Sequence, residues 1–112
     1  MKRLEIIVKP KMLDVLQNVL DEGGAHGVMV SSIQGYGNQK GNKSMYRGSE
    51  MEIKMLPKIK VETVLEDDKV KEMTEKIVKA ISTGDCGDGK IFVYAVTDAV
   101  RIRTGEHGEK AL

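Results

Sequence analysis

The run Thr83-Gly84-Asp85-Cys86-Gly87-Asp88-Gly89-Lys90 leads straight into the apolar segment Ile91-Phe92-Val93, and it is the stretch best equipped for chemistry. Gly84, Gly87 and Gly89 allow tight turns and bring bare N–H groups close to an anion. Lys90 closes the loop with a fixed positive charge. Further on, Arg101 and Arg103 alternate with Val100 and Ile102, which predicts a short extended segment with both guanidinium groups on one face. Such a pair matches phosphate geometry in a way that lysines do not. Together these groups read as a phosphate cradle and point to nucleotide binding. The blander readings are an ordinary helix-to-strand turn and a solvated strand face. The loop is not a Walker A loop, because its lysine precedes a strand and not a helix. Asp85 and Asp88, the carboxylates nearest the loop, show no obvious partner, and no nucleophile–base pair is visible.

The elements that must position these residues are legible from periodicity. Leu4 to Val8 reads as a strand that Pro10 ends. Met12, Leu13, Leu16, Val19 and Leu20 fall on one stripe of a helix from Lys11 to Glu22, stopped by Gly23-Gly24. Val28 to Ile33 is a second strand. Gly35 to Lys54 shows no period and is rich in Gly, Asn and Ser, the mark of a long functional loop. Leu56 to Leu65 is a third strand with Ile59, Val61, Thr63 and Leu65 on one face. Asp67 or Asp68 caps a second helix running to about Ser82, with Val70, Met73, Ile77, Val78 and Ile81 as its apolar stripe. Ile91 to Val96 is the fourth strand, and a mostly polar tail follows.

Strand, helix, strand, loop, strand, helix, strand is the split βαβ pattern of an α+β, ferredoxin-like domain over residues 1–112. Both helices then cover one face of an antiparallel sheet. On the other face Ile7, Val64 and their neighbours are too apolar for water, which predicts self-association.

Composition narrows the function. At 112 residues with no tryptophan, the chain suits one domain with an aliphatic core. A net charge of +1 lacks the basic excess of a sequence-independent nucleic-acid binder. Cys86 stands alone, so no disulfide framework is expected and a reducing, cytoplasmic compartment fits. No signal peptide or bilayer-spanning run is evident. Cys86 reads as a small buried hydrophobe. His26 and His107 have no metal-ligand partners at a recognisable spacing and read as surface or turn residues.

The whole chain resembles the PII nitrogen-signalling proteins. The resemblance is carried by Ile7-Val8-Lys9-Pro10, Gly35 to Gly41, Tyr46-Arg47-Gly48-Ser49-Glu50, Leu56-Pro57-Lys58, Thr83-Gly84, Gly87 to Val93 and Arg101 to Glu106. It implies a homotrimeric sensor, not an enzyme, with ATP or ADP bound at each subunit boundary. It also implies 2-oxoglutarate beside ATP through a shared Mg2+ ion. A T-loop, about residues 37–55, would change shape with the ligand and dock on partners. Those would be an ammonium transporter, which would recruit the protein to the membrane, or a nitrogen-metabolism enzyme or kinase. The nucleotide residues implied are Ile7, Met29, Gly35, Gly37, Asn38, Gln39, Val64, Gly87, Asp88, Gly89, Lys90, Arg101 and Arg103. Those for 2-oxoglutarate are Gly37, Gln39, Lys40, Gly41, Lys58 and Gly87, with the Gln39 carbonyl oxygen as a hard ligand for magnesium. Arg47, Ser49 and Glu50 form the docking tip, where Arg47 resembles the arginine that plugs transporter pores.

Among the departures from the family pattern, which include Met29 for a frequent threonine and Cys86 for a common aliphatic residue, two bear on function. Asn38 replaces a frequent arginine, removing a charged donor worth about 1.5–3 kcal/mol, which bears on ATP-over-ADP discrimination. Met51 replaces a tyrosine that many members have nucleotidylated, and its thioether offers no hydroxyl for that modification. Ser49 is the remaining candidate for modification. An acylphosphatase-like or ATP-hydrolysing enzyme is compatible with the fold, as is a trimeric metal-binding module. The missing nucleophile–base pair counts against the first, and the lack of clustered His and Cys against the second.

Overall fold

The structure, a computed structural model, describes residues 1–36 and 55–112. Strands β1 (Lys2–Val8), β2 (Met29–Gly35), β3 (Leu56–Leu65) and β4 (Lys90–Ala95) form a sheet in the order β2-β3-β1-β4. Every neighbouring pair is antiparallel. Helices α1 (Leu13–Glu22) and α2 (Asp67–Ile81) make the two crossovers. This is the ferredoxin-like α+β fold that the element order predicts.

Alternation in the strands decides which face is covered. Leu4, Ile6 and Val8 of β1 and Val61 and Leu65 of β3 point to the helices and are buried. Leu16 and Leu20 of α1 and Met73, Ile77 and Ile81 of α2 meet them. Each such aliphatic side chain contributes about 1.5–3 kcal/mol on burial. Thr63 lies among them, and its hydroxyl donates to the Gly27 carbonyl at 2.6 Å, which satisfies it.

Several boundaries differ from the sequence-based expectation, each for a local reason. Pro10 opens a 3-10 turn, Pro10–Met12, and the α-helix begins only at Leu13. Proline suits a first helical position, where its missing N–H is not needed. Strand β2 starts at Met29 and continues to Gly35, because β3 offers partners as far as Leu56. At the start of α2, Glu66 and not an aspartate occupies the cap, in extended conformation and without a capping side-chain bond. Its carboxylate instead accepts from His26 Nε2 at 3.0 and 3.1 Å. His26 therefore ties the α1–β2 connection to the start of α2.

The face without helices mixes charge with the apolar surface expected from Ile7 and Val64, because the register also puts the exposed Phe92, Tyr94 and Met29 on it. Ile7 and Val64 are half-buried, and Arg3, Glu5, Lys60 and Glu62 share their parity. Arg3 lies 3.7 Å from Glu62 and 3.9 Å from Glu5, with its guanidinium 4.2 Å over the Tyr94 ring. Both edge strands expose apolar side chains: on β4, Phe92 and Tyr94 on the open face and Val93 on the helix side are 44%, 41% and 49% exposed, and on β2 Met29 and Val30 are exposed as well.

The glycine loop joins α2 to β4. Gly89 has φ 116°, and a β-carbon there would overlap the Ile7 carbonyl oxygen of β1. Gly27 has open space around it and no positive φ. Gly89→Ala is therefore expected to destabilise the fold by at least about 2 kcal/mol, a fall in Tm of about 8 °C or more. Gly27→Ala should stay within about 0.5 kcal/mol of the parent. Thermal unfolding followed by circular dichroism checks both.

Candidate functional site

The loop between α2 and β4 is held by one carboxylate. Asp88 accepts from the Thr83 hydroxyl, from the Thr83 N–H at 2.6 Å and from the Gly84 N–H at 3.0 Å. Gly84 supports this turn with φ 93°, a conformation that costs other residues strain. The loop is thus closed by an aspartate that reaches back to N–H groups four and five residues before it. Asp88 does have partners, contrary to the sequence-based expectation. The Thr83 side chain, then the backbone N–H groups, hold its carboxyl below the usual carboxylate range.

The loop's donors are not equivalent. The Asp88 N–H is turned inward to the Asp85 carbonyl at 3.2 Å, so it does not face a ligand in this conformation. The Gly87 N–H has no acceptor among the described residues. Lys90 is exposed at the start of β4. Cys86 is exposed at the loop tip and not a buried hydrophobe, because the turn at 84–88 projects beyond the core.

A groove of about 510 Å3 opens beside this loop, between the C-terminal half of α2 and strands β1 and β4. Ser82, Asp88, Gly89 and Lys90 line its polar end, and Ile7, Val78, Ile81 and Val93 are among its apolar walls. That size and mixed lining suit a small ligand.

The tail departs from the expected extended segment. Val100 pairs only with His107, as an isolated bridge, and residues 102–104 form a turn. The Arg101 N–H bonds to the Glu106 carbonyl at 2.9 Å, and the Gly105 N–H returns to the Arg101 carbonyl at 2.7 Å. Gly105, at φ 75°, makes this reversal possible. Arg101 and Arg103 are therefore not presented by strand alternation. Arg101 is half-buried and Arg103 exposed. Asp98 braces the hairpin: it accepts from His107 Nδ1 at 2.9 Å, from the Ala99 N–H at 2.9 Å and from the Gly108 N–H at 3.2 Å. The His107 bond, followed by the Ala99 N–H, lowers its pKa. Both histidines thus have carboxylate partners that sequence spacing alone did not reveal.

Strand register sorts most of the described site residues into two groups. Gly35 stands opposite Leu56, Lys58 opposite Ile33, and Ile7 between Lys60 and Lys90, all at the end of the sheet that carries the glycine loop. Val64 stands opposite Arg3, toward the other end, and Met29 opposite Glu62, level with Glu5 at the middle of β1. The tail leaves from that other end, where the Val96 N–H meets the Met1 carbonyl at 3.1 Å. Lys58 and Val64 lie about 20 Å apart along β3 at roughly 3.3 Å per residue. Gly37, Asn38, Gln39, Lys40, Gly41, Arg47, Ser49, Glu50 and Met51 lie outside the described residues. Among the described residues, no group of three or more His, Cys, Asp and Glu could hold a metal ion, and no helix is long and apolar enough to cross a membrane.

Comparison with known proteins agrees with this architecture. A family model described as nitrogen regulatory protein P-II matches residues 1–106. Relatives named nitrogen regulatory protein P-II, from Rhodospirillum rubrum and Mesorhizobium japonicum, are each 48% identical over 112 residues, covering all of both chains. Nitrogen regulatory protein P-II 2 of Methanothermobacter thermautotrophicus is 46% identical, covering all of this chain and 97% of its own. The solved structure of B. subtilis GlnK superposes with a TM-score of 0.82 at 35% identity, covering 99% of this chain and 97% of that one. The chain belongs to the nitrogen regulatory protein P-II family.

Asp88 generates a test of the loop. Because its pKa is depressed in the fold, its stabilising effect is present above the ordinary aspartate value and is lost as pH falls below about 4. Hydrogen exchange of the Thr83 and Gly84 amides is expected to accelerate at least about tenfold in Asp88→Ala at neutral pH. In the parent, the same two amides should lose protection through acid titration below pH 4 while the core strands keep theirs.

Proposed function

We propose that the protein is a signal transducer of nitrogen, carbon and energy status that binds ATP or ADP at seams between three copies of the chain. The observation that carries this reading is the sorting of the candidate residues to opposite ends of one sheet. A second copy packed in the matching orientation would bring the glycine-loop end of one to the tail end of the other. Met29, Val64, Arg101 and Arg103 of one copy would then meet Ile7, Gly35, Gly87, Gly89 and Lys90 of its neighbour. The exposed Phe92, Val93 and Tyr94 at the β4 edge support association, since such surface is costly in water.

The residues fit phosphate. The Asp88 staple sets the loop before any ligand arrives, so little ordering entropy remains to be lost on binding. The Gly87 N–H would donate to phosphate oxygen, Lys90 would supply a point charge, and the tail arginines would supply planar donors. Magnesium would supply positive charge to offset the negative charge of the phosphates and of the 2-oxoglutarate carboxylates. The Gln39 carbonyl would be its protein ligand, and Lys58, at the same end of the sheet as Gly35, would pair with the second carboxylate. Gly37, Lys40, Gly41 and Gly87 would complete that site.

A sensor fits better than an enzyme. The Asp88 carboxylate already accepts three bonds from its own loop, a structural task that supports the sensor reading over one with Asp88 as a general base. Relatives across the comparisons carry regulatory names. The T-loop tip, Arg47, Ser49 and Glu50, would dock on an ammonium transporter or on a nitrogen-metabolism enzyme or kinase, with the protein cytoplasmic until recruited. Ligands can bias that docking only by the difference in their affinity for its conformations.

Isothermal titration of the purified oligomer tests the reading. 2-Oxoglutarate is expected to bind only with ATP and magnesium both present, and Lys90→Ala or Arg103→Ala should weaken ATP binding about ten- to a hundredfold. Equal 2-oxoglutarate affinity for the bare protein, or undiminished ATP affinity in both variants, would contradict it.

A further inference from the structure

The two tail arginines differ in how they are held. Arg101 Nη1 donates to Glu106 Oε1 at 3.2 Å, and Arg101 Nη2 donates to the Leu112 carbonyl at 2.9 Å. The same Glu106 oxygen accepts from the Thr104 hydroxyl at 2.9 Å, and the Glu106 N–H returns to that hydroxyl at 3.2 Å. The backbone bond from the Arg101 N–H to the Glu106 carbonyl closes the ring. Arg103, two residues on, makes no ion pair among the described residues.

A guanidinium has five N–H donors in a fixed plane. Two are used here, one on each terminal nitrogen, which leaves three without a partner among the described residues. A long side chain that is already held loses less rotamer freedom on binding. The negative charge of Glu106 acts in the opposite sense, because it competes with an incoming anion for the same cation. Glu106 is part-exposed, and water weakens an ion pair at such a position, so the competition is small beside the gain from a held geometry.

We propose that Glu106 is a positioning residue: through its carboxylate oxygen it fixes the Arg101 guanidinium for phosphate, while Arg103 is the unheld cation that adjusts to the ligand. This rests on the phosphate-binding reading above. No role for Glu106 follows from strand alternation, because the contact depends on the turn at 102–104 that brings positions 101 and 106 together.

The test is ATP titration of the full-length oligomer in four forms beside the parent: Glu106→Ala, Glu106→Gln, Arg101→Ala and the double variant Glu106→Ala/Arg101→Ala. Glu106→Ala should bind ATP about five- to tenfold more weakly. Glu106→Gln keeps an oxygen acceptor without the charge and should bind as tightly as the parent or more so. In the Arg101→Ala background, Glu106→Ala should cost no more than about a further twofold. Glu106→Ala binding at parental affinity would overturn the proposal. So would Glu106→Gln binding as weakly as Glu106→Ala, or an equal loss with and without Arg101. Thermal unfolding of each variant shows whether a loss is one of folding, and Glu106→Gln keeps the test decisive if Glu106→Ala is unstable. Failure of the parent itself to bind ATP would strike the nucleotide reading, a result distinct from all of these.

Discussion

Backbone rests on backbone where Gly89 meets the Ile7 carbonyl, and the geometry of the candidate site descends from that contact. β1 is the central strand that both β3 and β4 pair with, so a loop seated on β1 is referenced to the whole sheet. No side chain at position 89 is compatible with that seating. The groove beside α2, the exposure of Lys90 and the projection of the turn at 84–88 all follow from where this one residue lets β4 begin.

Away from the sheet, carboxylates do the organising that a core does elsewhere. The glycine loop and the tail bury few large apolar side chains, and each is closed by an acid that gathers nearby donors. Asp88 gathers Thr83 and Gly84, while Asp98 gathers His107, Ala99 and Gly108. Glu106 gathers Arg101 and Thr104. Hydrogen bonds to charged acceptors are stronger and more directional than neutral ones. Short exposed segments can therefore present donors in a defined arrangement without hydrophobic support.

The fold was largely legible because period and burial agree. Leu16 and Leu20 recur at helical spacing, and Val61, Thr63 and Leu65 at strand spacing, and the structure buries all five. Pro10 and Gly23-Gly24 mark their boundaries for local steric reasons. What periodicity could not show was the set of contacts between distant residues. Glu66 faces His26 across 40 positions, so a composition rule that favours aspartate at a cap misassigned the start of α2. Alternation misread the tail, because Gly105 reverses the chain within reach of Arg101 and overrides the strand signal of Val100 and Ile102. Cys86 was misread for a similar reason: its residue type favours burial, but the turn that carries it leaves the core. Residue type and spacing alone point to the glycine loop, Lys90, Arg101 and Arg103 as a phosphate cradle, and the resemblance adds the other site residues; the division between two ends of the sheet is apparent only with the register.

That division makes the central claim open to a direct measurement, subunit mixing. Lys90→Ala and Arg103→Ala chains are purified separately, mixed under conditions that exchange subunits, and titrated with ATP. If each site takes Lys90 from one copy and Arg103 from the next, random mixing in a closed trimer regenerates about a quarter of the sites with both residues intact. A fraction of that order should then bind ATP at parental affinity, although neither variant does so alone. If each chain holds its own complete site, every site in the mixture lacks one residue, and binding no tighter than that of the separate variants would contradict the shared seam.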